Sequence, residues 1–146
     1  MLCGAPALCA QTPAAPGAQR PQQAQASQLL PVLREYRGVN LKLEREQVKA
    51  VMGKPSQIGK NWDEFKLGDS DLMTVRYDDK GGVKTVQLYF TDPAHAPKWT
   101  EVVGDAEIQE KSTGSKFARA VNNEEDFWVT MFQSKNGSVT TITLSR

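Results

Sequence analysis

The apolar positions of this chain follow two spacings. Between residues 28 and 53 they recur every three or four residues, and from Trp62 onward they alternate or run in short blocks. Ser27 is a candidate N-cap for a short helix over 28–37, with Leu29, Leu33 and Tyr36 on one face, Pro31 tolerated in the first turn and Gly38 as its stop. Residues 44–52 predict a better-marked helix. Acids open it, Val48, Val51 and Met52 share a stripe, Gly53 lies just past its end and Pro55 forbids continuation. Strand character follows at 62–67, 72–77 and 83–90, the last two separated by Asp78-Asp79-Lys80-Gly81-Gly82. Met73, Val75 and Tyr77 alternate with Thr74 and Arg76, as a sheet with one buried face requires.

The second half repeats the plan. Ala50-Val51-Met52-Gly53 is echoed by Glu101-Val102-Val103-Gly104 at an offset of 51. The strand 71–77 with its polar turn is echoed by Asp126-Phe127-Trp128-Val129-Thr130-Met131-Phe132 and Gln133-Ser134-Lys135-Asn136-Gly137 at an offset of 55. Asn136-Gly137 is itself a hairpin signal, since both residues tolerate positive φ. A short helix near 97–103 and a closing strand at 139–144 complete the second copy, with 91–97 as the linking loop. The expectation is an α+β domain over 28–146: an antiparallel sheet packed on one face by short helices, built as two tandem α-β-β-β repeats at about 39–91 and 98–146.

The segment Leu43-Glu44-Arg45-Glu46-Gln47-Val48-Lys49-Ala50-Val51-Met52-Gly53-Lys54-Pro55, followed by an aromatic-bearing strand and a hairpin, resembles the helix-to-strand signature Gly-Met-Thr-x-x-Gln-Val-x-x-x-Leu-Gly-x-Pro. That signature belongs to the small outer-membrane assembly lipoproteins (the small protein A type) and the beta-lactamase inhibitory proteins. The match spans 39–90 and, more loosely, 99–144. Lys42 stands in place of the Gly, Glu44 of the capping Thr and Met52 of the Leu. The resemblance implies tandem helix-plus-sheet modules sharing one sheet and working outside the cytoplasm by binding proteins; it carries no individual partner across.

Residues 1–27 are a different polymer. They are rich in Ala, Pro and Gln, with Arg20 their one charge, and all eleven aromatics lie between Tyr36 and Phe132. Small residues at Ala5 and Ala7, or Cys9-Ala10 before Gln11, read as the end of a truncated signal peptide, followed by a semi-extended linker, and imply periplasmic or secreted localisation in a bacterium. Pro6-Ala7-Leu8 before Cys9 is not a lipidation context, so a lipid anchor is unsupported. No apolar run approaches the length of a transmembrane span. Basic and acidic residues number 18 and 17, which leaves no basic surplus for nucleic acid.

Candidate chemistry is thin. The one histidine, His95, sits in the Pro-flanked linking loop and reads as surface; the paired acids Asp69/Asp71, Asp78/Asp79 and Glu124/Glu125/Asp126 border predicted turns and read as solvated. Neither set builds a metal cage or a catalytic constellation, so no cofactor, metal or enzymatic activity is expected. Aromatics are more informative. Phe127-Trp128 and Tyr89-Phe90 occupy consecutive strand positions, so one of each pair faces away from the helices, whichever parity is buried. Trp128 and Phe132, with Tyr77 and Tyr89 added by analogy with the repeat, are the expected binding face for an envelope or secreted protein partner. The alternative is a small-ligand or lipid-binding domain, which calls for an enclosed apolar cavity.

Overall fold

The computed structural model describes residues 32–146, in which two short helices pack on a largely antiparallel α+β framework. The expected leader and linker, both cysteines and the start of the 28–37 helix lie outside these residues. The described strands are β1 (Glu35–Tyr36), β2 (Val39–Asn40), β3 (Gln57–Ile58), β4 (Trp62–Lys66), β5 (Leu72–Tyr77), β6 (Val83–Phe90), β7 (Gln109–Glu110), β8 (Lys116–Asn122), β9 (Phe127–Gln133) and β10 (Thr140–Ser145). Helix α1 (Arg45–Met52) follows β2, and α2 (Trp99–Val103) follows β6. β1 and β2 form a small hairpin. The other strands make one sheet in the order β3-β4-β5-β6-β10-β9-β8-β7, every neighbouring pair antiparallel.

Local chemistry explains most boundaries. The Glu44 amide donates to Gln47 Oε1 at 2.8 Å ahead of α1, and Gly53, at φ +82°, ends it with its amide on the Lys49 carbonyl. Before α2 the Lys98 amide makes the same contact with Glu101 Oε2 at 2.8 Å. The expected strands at 72–77 and 83–90 appear at those bounds, and each half adds a two-residue edge strand to the three expected.

The described part of the expected 28–37 helix is not helical. Arg37 and Gly38, at φ +50° and +81°, turn the chain back so that Tyr36 pairs with Val39, and the Tyr36 ring stands edge-on to Phe90 at 6.0 Å. The Leu33 amide also donates to the Val102 carbonyl at 2.9 Å, stitching this segment to α2. A short isolated helix has little stability of its own, so docking onto the core decides the local structure.

Most inward-facing strand residues join a single core. Phe65, Met73, Val75, Val86, Leu88, Phe90, Val129, Met131, Ile142 and Leu144 are buried under Val48 of α1, Val102 and Val103 of α2, and Val39 and Leu41. The helices therefore cover one face of the sheet only. No helix among the described residues is long and apolar enough to cross a membrane.

A charge is also buried beneath the helices. Asp63 is fully buried, and Arg45, the first residue of α1, reaches it with a two-pronged pair, Nε to Oδ2 at 2.9 Å and Nη2 to Oδ1 at 2.5 Å. The same guanidinium donates to the Lys60 and Gly59 carbonyls, and the Tyr77 hydroxyl donates to Asp63 Oδ2 at 3.1 Å. Burial, together with the adjacent carboxylate, pushes the Tyr77 phenol well above its ordinary pKa, so it remains a donor. Arg45→Met leaves Tyr77 as the remaining side-chain donor to a buried carboxylate. It should lower the unfolding free energy in urea by about 3 kcal/mol or more, and adding Asp63→Leu should recover most of that loss. A loss under about 1 kcal/mol for the single variant would mean that the pair does not hold α1 to the sheet.

Candidate functional site

The face of the sheet opposite the helices carries three rows of side chains. In the middle row, cross-strand pairing lines up Glu64, Thr74, Gln87, Thr143, Thr130 and Arg119 from β4 to β8. On one side of it stand Lys66, Leu72, Tyr89, Thr141, Phe132 and Phe117; on the other, Trp62, Arg76, Thr85, Ser145, Trp128 and Val121. A polar central band is thus flanked by two rows rich in aromatic and aliphatic groups. Tyr89 and Phe132 are each 38% exposed and Val121 56%, while Trp62, Leu72, Phe117 and Trp128 are half-buried by their neighbours. The Arg119 guanidinium lies 5.1 Å from the Trp128 ring, which holds the indole in place by a cation–π contact.

Of the four expected anchors, Trp128, Phe132 and Tyr89 share this face. Tyr77 does not. It is 5% exposed, lies on the helix side and gives its hydroxyl to Asp63. The error comes from the offset of 55, which sets Tyr77 on Phe132 and buried Met73 on half-exposed Trp128. Strand side chains alternate between faces, so an odd offset exchanges the two faces at every position.

Trp62, Leu72, Phe117, Val121 and Arg119 belong to the same surface but were not singled out from sequence. Their signal is parity relative to Trp128, which becomes readable only when the strand pairing is known. Gly59 shows how closely Trp62 is seated, since a Cβ there would lie 2.1 Å from the indole nitrogen.

The turn acids are less uniform than expected. Asp71 is 4% exposed; its Oδ1 accepts from the Thr91 amide at 3.0 Å and its Oδ2 meets His95 Nδ1 at 2.7 Å. His95 thus latches the loop between the two halves to the start of β5, with Asp92 3.7 Å from its Nε2. Asp78 organises the β5–β6 turn by accepting from the Gly82 and Lys80 amides, which lower its pKa. Glu125 is half-buried between Arg34 and Lys42, each at 3.4 Å. These last three residues rim an open cleft of about 310 Å³ with Leu41 and Phe127 at its floor. A cleft of about 270 Å³ lies beside His95 and Asp71. Among the described residues no three His, Cys, Asp or Glu side chains group as a metal site.

The hydrogen bond to Asp71, aided by the Asp92, Asp71 and Asp69 charges, raises the His95 pKa above its ordinary 6.5 against some desolvation. Desolvation works against ionisation of Asp71, but the Thr91 amide and His95 outweigh it and hold the carboxyl below 3.8. The raised His95 contributes fully below pH 6.5 and loses its contribution as pH climbs through its folded value. The lowered Asp71 contributes fully above pH 3.8 and loses its contribution as pH falls through its folded value. The urea midpoint should therefore decline on the alkaline side of that window, and His95→Gln should flatten the decline. An alkaline slope identical in the variant would remove the latch as its source.

Compared with family models, with curated proteins and with solved structures, the chain gives no match.

Proposed function

We propose that the chain is an exported, non-enzymatic interaction module of the envelope-assembly or inhibitor kind, which docks a protein on its open sheet face. The observation that carries this reading is the pair of aromatic-rich rows on a face that no described helix covers. Trp, Tyr and Phe supply much contact area at little entropy cost, and the hydroxyl band between them offers hydrogen bonds to a partner backbone. Addition of a partner strand at the sheet edge is a weaker reading, because β3 and β7 pair over two residues each and offer little template.

The two halves are read as tandem repeats, related by a twofold axis normal to the sheet between β6 and β10. An offset of 56 supports this. It carries the cross-strand pairs Met73–Leu88 and Val75–Val86 onto Val129–Leu144 and Met131–Ile142, which are also register partners. An even offset keeps each residue on its own face, as such an axis demands.

The ligand-binding alternative draws less support. The described clefts of about 310 Å³ are open, and charged side chains such as Arg34, Lys42, Glu125 and Arg146 in one, Arg45, Asp78 and Asp79 in another, line them. An apolar ligand would need an enclosed apolar lining instead.

A photo-crosslinking residue at position 132 of the full chain, in intact envelopes, should capture a protein, whereas one at Val51 on exposed α1 should not. Phe132→Ala and Trp128→Ala should each reduce binding of that protein about 10-fold or more, with Phe132→Ala losing no more than about 1 kcal/mol of stability. Equal capture from both positions, or unchanged binding by both variants, would exclude the face as the docking surface.

A further inference from the structure

The open face is complementary to itself, and we infer that the protein docked on it is a second copy of this chain. The inference rests on the reading of that face as a docking surface and names its occupant. Its charges are unevenly placed. Along the middle row the acidic end is Glu64 on β4 and the basic end Arg119 on β8, with uncharged Thr74, Gln87, Thr143 and Thr130 between them. In the flanking rows the cations Lys66 and Arg76 stand on the β4–β5 side, and the aromatics Phe117, Phe132 and Trp128 on the β8–β9 side. One half of the face therefore carries what the other half would bind.

Two identical sheets packed face to face are related by a twofold axis lying in the interface, and two orientations keep their strands aligned to within about 30°. With the axis across the strands, Glu64 would meet its own copy and Arg119 its own copy, a repulsive arrangement. With the axis along the strands, at the β6–β10 seam, each Glu64 faces the other copy's Arg119. Arg76 then lies over Trp128 of the other copy, Lys66 over Phe117 and Leu72 over Phe132. The first two are cation–π contacts and the third an apolar one. Electrostatics selects the second orientation.

The size of the face suits this role. Six strands spaced about 4.8 Å and three same-face rows give about 30 by 20 Å, hence ~600 Å² per copy and ~1,200 Å² in all. That is the low end for a specific interface, where weak and transient complexes sit, so a reversible dimer is expected. The charged ends are already ordered: Ser56 Oγ donates to Glu64 Oε1 at 3.2 Å, and Arg119 rests on Trp128.

A charge exchange tests the inference in a way that no intrachain effect can imitate. Within one copy Glu64 and Arg119 are five strand spacings apart, ~24 Å, well beyond the ~8 Å screening length at physiological salt. Sedimentation velocity of the full chain from about 1 to 500 μM should show a monomer–dimer equilibrium that weakens as salt is raised. Glu64→Arg and Arg119→Glu should each raise the dissociation constant about 10-fold or more, because each sets two like charges against each other twice per dimer. The double variant should return to within about 3-fold of the wild type. A chain that stays monomeric to 500 μM, or a dimer indifferent to both single exchanges, or a double variant as weak as the singles, would overturn the self-pairing. A monomer that still cross-links another protein through position 132 would leave the docking face standing; loss of that cross-link as well would remove both.

Discussion

β6 and β10 run antiparallel along the middle of the sheet, and their pairing from Thr85–Ser145 to Phe90–Thr140 is the seam that joins the two halves of the chain. On the helix side, Val86, Leu88, Phe90, Ile142 and Leu144 from these two strands form the centre of one core beneath both helices. On the other side, the same backbone continuity makes one wide surface from two narrow ones. A separate half would present a four-stranded sheet with a long bare edge, exposed to unwanted strand pairing. Joined at the seam, the sheet ends at both sides in two-residue strands, and its breadth becomes available for contact.

Charged groups secure the parts that the apolar core cannot hold. Asp63 ties the start of α1 to β4 and β5 through Arg45 and Tyr77, and the loop at Gly59 and Lys60 hangs from the same guanidinium. Asp71 does comparable work for the loop between the halves through His95 and the Thr91 amide. The two differ in depth. Arg45 is mostly buried beside a fully buried carboxylate, so its loss strands a charge in the interior; His95 is 60% exposed, so its bond to Asp71 is open to solvent screening and to proton exchange near neutrality. The hold on the linking loop therefore follows the protonation of the imidazole.

The open face balances two demands. Aromatic rows favour association, while Thr and Gln between them, with Glu64, Arg119, Lys66 and Arg76 toward the margins, keep apolar area divided into strips. A continuous patch of this breadth would aggregate without discrimination, whereas strips separated by hydroxyls and bounded by charge restrict the ways in which a partner can sit. In the docking proposed for this face, the charged margins would set orientation and the aromatic strips would supply area.

Sequence alone determined the elements whose signals are local: α1 from its first-turn acids and glycine stop, β5 and β6 from alternation about a polar turn, and the presence of aromatics on both faces from Phe127-Trp128 and Tyr89-Phe90. It also located three residues of the candidate face, Trp128, Phe132 and Tyr89. Tertiary structure decided the rest. The segment ending at Arg37 follows a hairpin because Tyr36 has Phe90 to pack against and Leu33 has the Val102 carbonyl, partners more than fifty residues away. Tyr77 points inward because the cross-strand register, not the wording of the repeat, assigns faces, and a match misplaced by a single residue exchanges core for surface. Asp71 is buried although it borders a turn, since its neighbours Thr91 and His95 arrive from the far end of β6. Periodicity records which residues share a side of a strand; which side meets the helices is set by the pairing of distant strands, and that energy is not written in any local window.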